Sequence, residues 1–180
     1  MFPLPFRALA TVPVLAVAVL LVSCSASPKL PANAGDAGAV NPSATPSSAR
    51  PVDVTKLDAC TILMQADAET LIGTKLTEPQ RASNSDVASC TYPGDPNGPT
   101  AQVEIYIGDG AKQQLDIDKD KLQHAFTQPA GLGDEAWQED GMIWARTGST
   151  WVSIRIVTLD DAAGFVVPLQ TAMATALGRL

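Results

Sequence analysis

The stretch from residue 25 to residue 51 cannot build a core, and that decides where in this chain a fold has to lie. It reads SASPKLPANAGDAGAVNPSATPSSARP: small, polar, rich in Pro and Gly, with no aromatic side chain and no apolar periodicity. Such a segment buries too little surface to offset the entropy of ordering it, and we read it as an extended tether. Ahead of it, Met1 to Arg7 carries one basic side chain and Ala8 to Leu20 is an apolar run closed by small residues. A charged start, an apolar stretch and small residues at the cut make a secretory signal. A membrane-spanning helix needs about 20 apolar residues; this run is shorter and contains Pro13, which weighs against an uncut anchor. Residues 52–180 are then left to fold, an ordinary length for one domain with its own core.

Leu21-Val22-Ser23-Cys24, at the end of the apolar run, resembles the lipobox of bacterial lipoproteins. The resemblance implies that residues 1–23 are a signal peptide and that the thiol of Cys24 is acylated. Residues 24–51 become a lipid-anchored flexible linker, and the domain faces the extracytoplasmic side of the cell membrane. Losing Arg7 with the signal takes the net charge from −7 to −8. Binding to nucleic acid rests on cations that neutralise phosphates, and no basic cluster supplies them, so nucleic acid is not an expected partner. Nor is there a polybasic patch for an anionic bilayer. The lipid on Cys24 is the expected membrane contact. With Cys24 taken, Cys60 and Cys90 form an even pair in an oxidising compartment. They are either bonded, closing a loop worth roughly 3.5–4 kcal/mol in the chain-entropy model, or two buried thiols. Structural zinc wants close ligand pairs, which these cysteines lack, and the only histidine is His124. No metal and no cofactor is expected.

The local patterns predict a helical turn at 57–63 and a helix from Gln65 to Ile72, stopped by Gly73. A polar loop, Arg81 to Asp86, leads to a strand from Val87 to Tyr92. A turn-rich Pro93–Pro99 connects it to a strand whose Ala101, Val103, Ile105 and Ile107 alternate with polar residues. Residues 111–126 read as a helix with Leu115, Leu122 and Phe126 near one face. Strands follow at 135–138, 142–147 and 150–158, joined by an Asp140-Gly141 turn and a turn at Gly148. A last helix starts near Val167, with Pro168 in its first turn. The expected fold is a single α+β domain. Its antiparallel sheet has about five strands with helices packed on one face, in the order α-β-β-α-β-β-β-α.

Cys60-Thr-Ile-Leu63 before Ala66-Asp67, then Leu71-Ile-Gly73 and Cys90-Thr-Tyr92, resembles the start of a large group of actinobacterial cell-envelope lipoproteins with a domain of unknown function. Gly131-Leu-Gly-Asp-Glu-Ala-Trp137 is similar to another recurrent piece of that group. The resemblance implies a disulfide between Cys60 and Cys90 and supplies no established chemistry.

Chemical constellations are sparse. Asp116-Ile-Asp118-Lys-Asp120 has the spacing that opens an EF-hand, but Lys121 stands where Gly is needed and Thr127 where Glu is needed. Gly131-Leu-Gly lacks the third glycine of a dinucleotide fingerprint and enters a strand. There is no Gly-x-Ser-x-Gly, and His124 sits on a charged helix. Asp134/Glu135 and Glu139/Asp140 are adjacent acids of the kind usually solvated in turns. We therefore expect no enzyme. The remaining signal is aromatic: Trp144, Arg146, Trp151 and Arg155 share one sheet face by strand periodicity, and Trp and Arg are favoured in recognition. That face is either an open binding patch or tryptophan core. The expected function is a membrane-anchored, non-enzymatic module that binds an envelope protein, glycan or lipid. A carrier of a small apolar molecule is the runner-up, and an envelope enzyme comes third.

Overall fold

In the computed structural model the described residues are 52–180; the signal sequence, Cys24 and the linker lie outside them. They form an α+β domain with one antiparallel sheet. Its elements are α1 (Ala59–Ile62), α2 (Gln65–Ile72), β1 (Gln80–Ser83), β2 (Val87–Pro93), β3 (Ala101–Gly108), α3 (Asp109–Asp120), β4 (Glu135–Glu139), β5 (Met142–Thr147), β6 (Thr150–Thr158) and α4 (Val166–Leu177). The strands lie in the order β1-β2-β3-β6-β5-β4. Among the described residues no helix is long and apolar enough to cross a membrane.

Alternation along the central strands separates two faces. On the inner face Val103, Ile105 and Ile107 of β3 stand beside Val152, Ile154 and Ile156 of β6, all buried. Four positions of α4 cover them: Leu169, Ala172, Met173 and Ala176, the i, i+3, i+4, i+7 stripe of an amphipathic helix. Ala68, Leu71 and Ile72 of α2 and the short α1 complete this core. The disulfide between Cys60 and Cys90, with Cα atoms 5.2 Å apart, ties α1 to β2. Beside it the fully buried Tyr92 hydroxyl is aimed at the carbonyls of Cys60 and Leu63. Burial pushes its pKa up to about 12, so the phenol stays a donor. The start of α2 is joined to the C-terminal end by Asp67, which accepts from the Met64 amide at 3.0 Å and from the Arg179 guanidinium.

The Arg179 guanidinium holds the Asp67 carboxyl below its ordinary value of 3.8. A depressed carboxyl contributes stability that is complete above that value and lost as pH falls below it. Asp67→Asn should therefore be less stable than wild type near neutral pH, and the gap should close below pH 3.8. Denaturation midpoints against pH check this; a gap that ignores pH would remove the ion pair from the account.

Three expectations need correction. The sheet has six strands, because Gln80–Ser83 pairs with Ala88–Thr91 as an edge strand. Nothing periodic marks it: all four residues are exposed, and it is held by its ladder and by Arg81 Nε, which donates to both carboxylate oxygens of Asp58 at 3.0–3.1 Å. The helices lie on both faces, since α3 packs on the side opposite α1, α2 and α4. And α3 stops at Asp120, short of residue 126: Gln123 takes a positive φ of 56°, and Leu122 is 55% exposed.

Candidate functional site

The outer face collects the chemistry. The strand registers set Tyr106, Ser153, Trp144 and Trp137 in one row across β3, β6, β5 and β4, and Glu104, Arg155, Met142 and Glu139 in the next. Arg146 stands opposite Trp151. The four residues Trp144, Arg146, Trp151 and Arg155 thus share a face, but helix α3 lies across much of it. Ala111 and Leu115 of α3 cluster with Met142, Trp144 and Trp151, leaving Trp144 0% and Trp151 6% exposed. Of the two readings left open for that face, the two tryptophans take the core one. The reason is topological: β3 runs directly into α3, which folds back over the strands on that side.

Gly108 makes the junction. Its φ is +117° and a Cβ there would collide with the Asp86 carbonyl oxygen, so only glycine suits the turn. Along α3, Lys112 Nζ lies 5.7 Å from the Trp151 ring centre and Lys119 Nζ 3.2 Å from that of Trp137. Beyond the helix, Phe126 fits between two indoles, edge-on to Trp137 at 6.2 Å and tilted to Trp144 at 5.7 Å. His124 Nδ1 meets Glu139 Oε2 at 2.6 Å. Burial holds the Glu139 carboxyl above its ordinary pKa against the pull of that hydrogen bond. Two buried polar atoms here have no partner among the described residues, Trp144 Nε1 and Ser153 Oγ.

Arg146 is a structural hub. It donates to the Gly148 carbonyl at 2.6 Å and approaches Asp134 and Glu135, each at 3.4 Å. Asp134 in turn accepts from the Gly148 amide at 2.7 Å, and its own amide donates to the Arg146 carbonyl at 2.7 Å. Residues 131–137 therefore clasp β4 to the β5–β6 turn, with Leu132 buried. Gly133 has φ +61°, and a Cβ would run into the Arg146 carbonyl oxygen. Gly133→Ala should cost about 1–3 kcal/mol from strain alone, read as a lowered denaturation midpoint; an unchanged midpoint would show that the clasp adapts freely.

Arg155 is the exposed member of the four. Its guanidinium stands 3.7 Å from Glu104, a carboxylate that also accepts from Gln102 Nε2 at 2.6 Å and from the Tyr106 hydroxyl at 3.1 Å. Burial and the Glu104 charge both raise the Tyr106 pKa. Lys119, Phe126, Glu104 and Tyr106 belong to this face and were missed by motif reading. The alternation of Glu104 and Tyr106 against Val103 and Ile105 was the available signal. Asp116, Asp118 and Asp120 are all in α3, with Asp116 paired to Lys112. Among the described residues no group of three or more His, Cys, Asp or Glu is placed to hold a metal ion.

A second feature lies on the opposite side of the domain. A groove of about 310 Å³ runs between α2 and α4, lined by Leu71, Val167, Pro168, Ala172, three threonines and the Asp67 carboxylate. The hydroxyls of Thr70, Thr171 and Thr175 donate to carbonyls of their own helices at 2.8–3.1 Å, so they add little polarity.

No family model, curated protein or solved structure matches the chain.

Proposed function

We propose that this chain is a lipoprotein of the cell envelope, acylated at Cys24, whose 52–180 domain is a non-enzymatic binding module. The observation that carries the reading is the Cys60–Cys90 disulfide downstream of a lipobox-like Leu21-Val22-Ser23-Cys24. Disulfides persist outside the reducing cytosol, the same side to which a cleaved and acylated chain is delivered. On the outer face Arg155, beside Glu104, is the member of the four left exposed, and an exposed arginine on a rigid sheet favours a binding role.

A second reading, carriage of an apolar molecule, is favoured by the groove between α2 and α4. Against it, the side chains between sheet and helices, among them Leu63, Ile105, Ile154 and Met173, are packed to 0% exposure, whereas carrier sites usually enclose most of the ligand.

Mass spectrometry and detergent partitioning of wild type and Cys24→Ala test the anchor. Wild type should enter the detergent phase with an N-terminal mass raised by the acyl groups, and the variant should do neither. Equal partitioning with one shared N-terminal mass would end the lipoprotein reading.

A further inference from the structure

We infer that residues 122–127, the strap between α3 and β4, dock on the outer face in a pH-dependent way, tightly in mild acid and progressively less as the pH rises. The strap carries Phe126 to Trp137 and Trp144, at 6.2 and 5.7 Å between ring centres, and is otherwise exposed. Its far end is fixed, since Thr127 and Gln138 exchange backbone hydrogen bonds at 2.8 and 2.9 Å. Its near end is a strained joint. Gln123 is held at φ +56°, a conformation that a residue with a side chain keeps only where its surroundings impose it. Between these ends the His124 amide donates to the Asp118 carbonyl at 3.2 Å, and the His124 ring meets Glu139 Oε2 at 2.6 Å through Nδ1.

The ring contact joins two groups that titrate. The Glu139 side chain keeps 14% of its surface exposed and that of His124 keeps 45%. Burial, with Asp118 and Asp140 nearby, holds the Glu139 carboxyl above its ordinary value of 4.5, against the pull of His124. A carboxyl raised in the docked state contributes stability that is complete below 4.5 and is lost as pH rises through its docked value. Ionising Glu139 therefore works against docking. A protonated His124 offsets that charge, and a hydrogen bond between two ionised groups is stronger than one from a neutral imidazole. Histidine ordinarily loses its proton between about pH 5 and 8, so both groups push the same way. The other charges around the pair are Asp118, Lys119 and Lys121 at the end of α3, Asp140 in the β4–β5 turn, and Arg155, which stands in the row of Glu139 across β5. Side chains of those types ordinarily titrate outside this range.

Exposed segments with few buried apolar contacts are the ones that open locally. Phe126 is the one side chain of the strap that is not exposed, so the His124–Glu139 contact weighs heavily in the balance between docked and lifted forms. Lifting withdraws the Phe126 ring and uncovers the side of Trp137 and Trp144 against which it rests. The device thus governs access to the aromatic end of the outer face, and it depends neither on the lipid nor on a partner.

The test uses the full chain in detergent solution, compared at about pH 5 and pH 8. Two readouts report docking: the Phe126 ring-proton shifts, set by the indoles beside the ring, and exchange of the amide at position 124 relative to the unfolded chain at the same pH. From the lower to the higher pH the ratio of docked to lifted strap should fall roughly tenfold, while amides of β3 and β6 keep their protection. His124→Asn keeps a hydrogen-bond donor without a titrating charge, and Glu139→Gln removes the carboxylate. Each should flatten the profile, and Glu139→Gln should leave the strap at the higher pH as well docked as wild type at the lower. A ratio equal at the two pH values, a ratio that rises with pH, or a wild-type slope retained in both variants would each overturn the inference. Neither readout involves Cys24 or a ligand, so failure here leaves the lipoprotein and binding-module readings standing, and their failure leaves the strap.

Discussion

Trp144→Ala should destabilise the domain by about 3–5 kcal/mol, the usual range for emptying a buried aromatic position. Trp144 is 0% exposed and packs with Leu115, Met142 and Trp151 in the cluster under α3, with Phe126 5.7 Å from its ring. Removing the indole opens a hole that α3 cannot fill, because the helix offers little beyond Ala111 and Leu115 on that side. Trp151→Ala, at 6% exposure, should fall in the same direction and also release Lys112. Trp144→Phe should lose less: it keeps a ring in place and deletes the unpartnered Nε1. Urea denaturation with unchanged m-values measures all three. A loss under about 1 kcal/mol for Trp144→Ala would mean that the outer face is not a packed layer.

Replacing both Cys60 and Cys90 by Ala should remove roughly 3.5–4 kcal/mol through the freedom regained by the unfolded chain. The loop closed by the bond spans a sequence separation of 30 and contains α2 and β1. Exposed β1 contributes little apolar burial of its own, so the crosslink is the main covalent restraint on that part of the chain. Alanine is the right replacement because Cys60 and Cys90 are 7% and 0% exposed, and serine would bury two new hydroxyls. Tyr92, hydrogen-bonded toward the carbonyls of α1, should keep that turn docked in the variant. The denaturation midpoint of the double variant should match that of reduced wild type. A difference from oxidised wild type below about 1 kcal/mol would make the bond dispensable.

Much of the fold was legible because local chemistry settled it. Ala101 to Ile107 alternates with a period of two, and β3 spans Ala101–Gly108. Gly73, expected to stop a helix, caps α2 in the left-handed conformation at φ +76°. Asp140-Gly141 joins β4 to β5 as a tight turn, with Gly141 at φ +74°. β1 was not legible because its four residues bury nothing: pairing with β2 and the Arg81–Asp58 contact hold it. The end of α3 was misplaced for a related reason. Phe126 continues the apolar spacing of the helix, yet it is buried by aromatic partners on other strands.

The sequence by itself determined the α+β class of residues 52–180, most of their strands and the sharing of one face by Trp144, Arg146, Trp151 and Arg155, because glycine placement and side-chain alternation are local properties. Which face stays open was decided only in three dimensions. Alternation separates two sides of a strand but carries no information about which side a helix will cover. That depends on where β3 turns at Gly108, and the turn sends α3 over the tryptophans. The same turn leaves Arg155 and Glu104 at the margin of the helix, buries Trp144 and Ser153 with unpartnered polar atoms, and turns an apparent surface patch into a covered one.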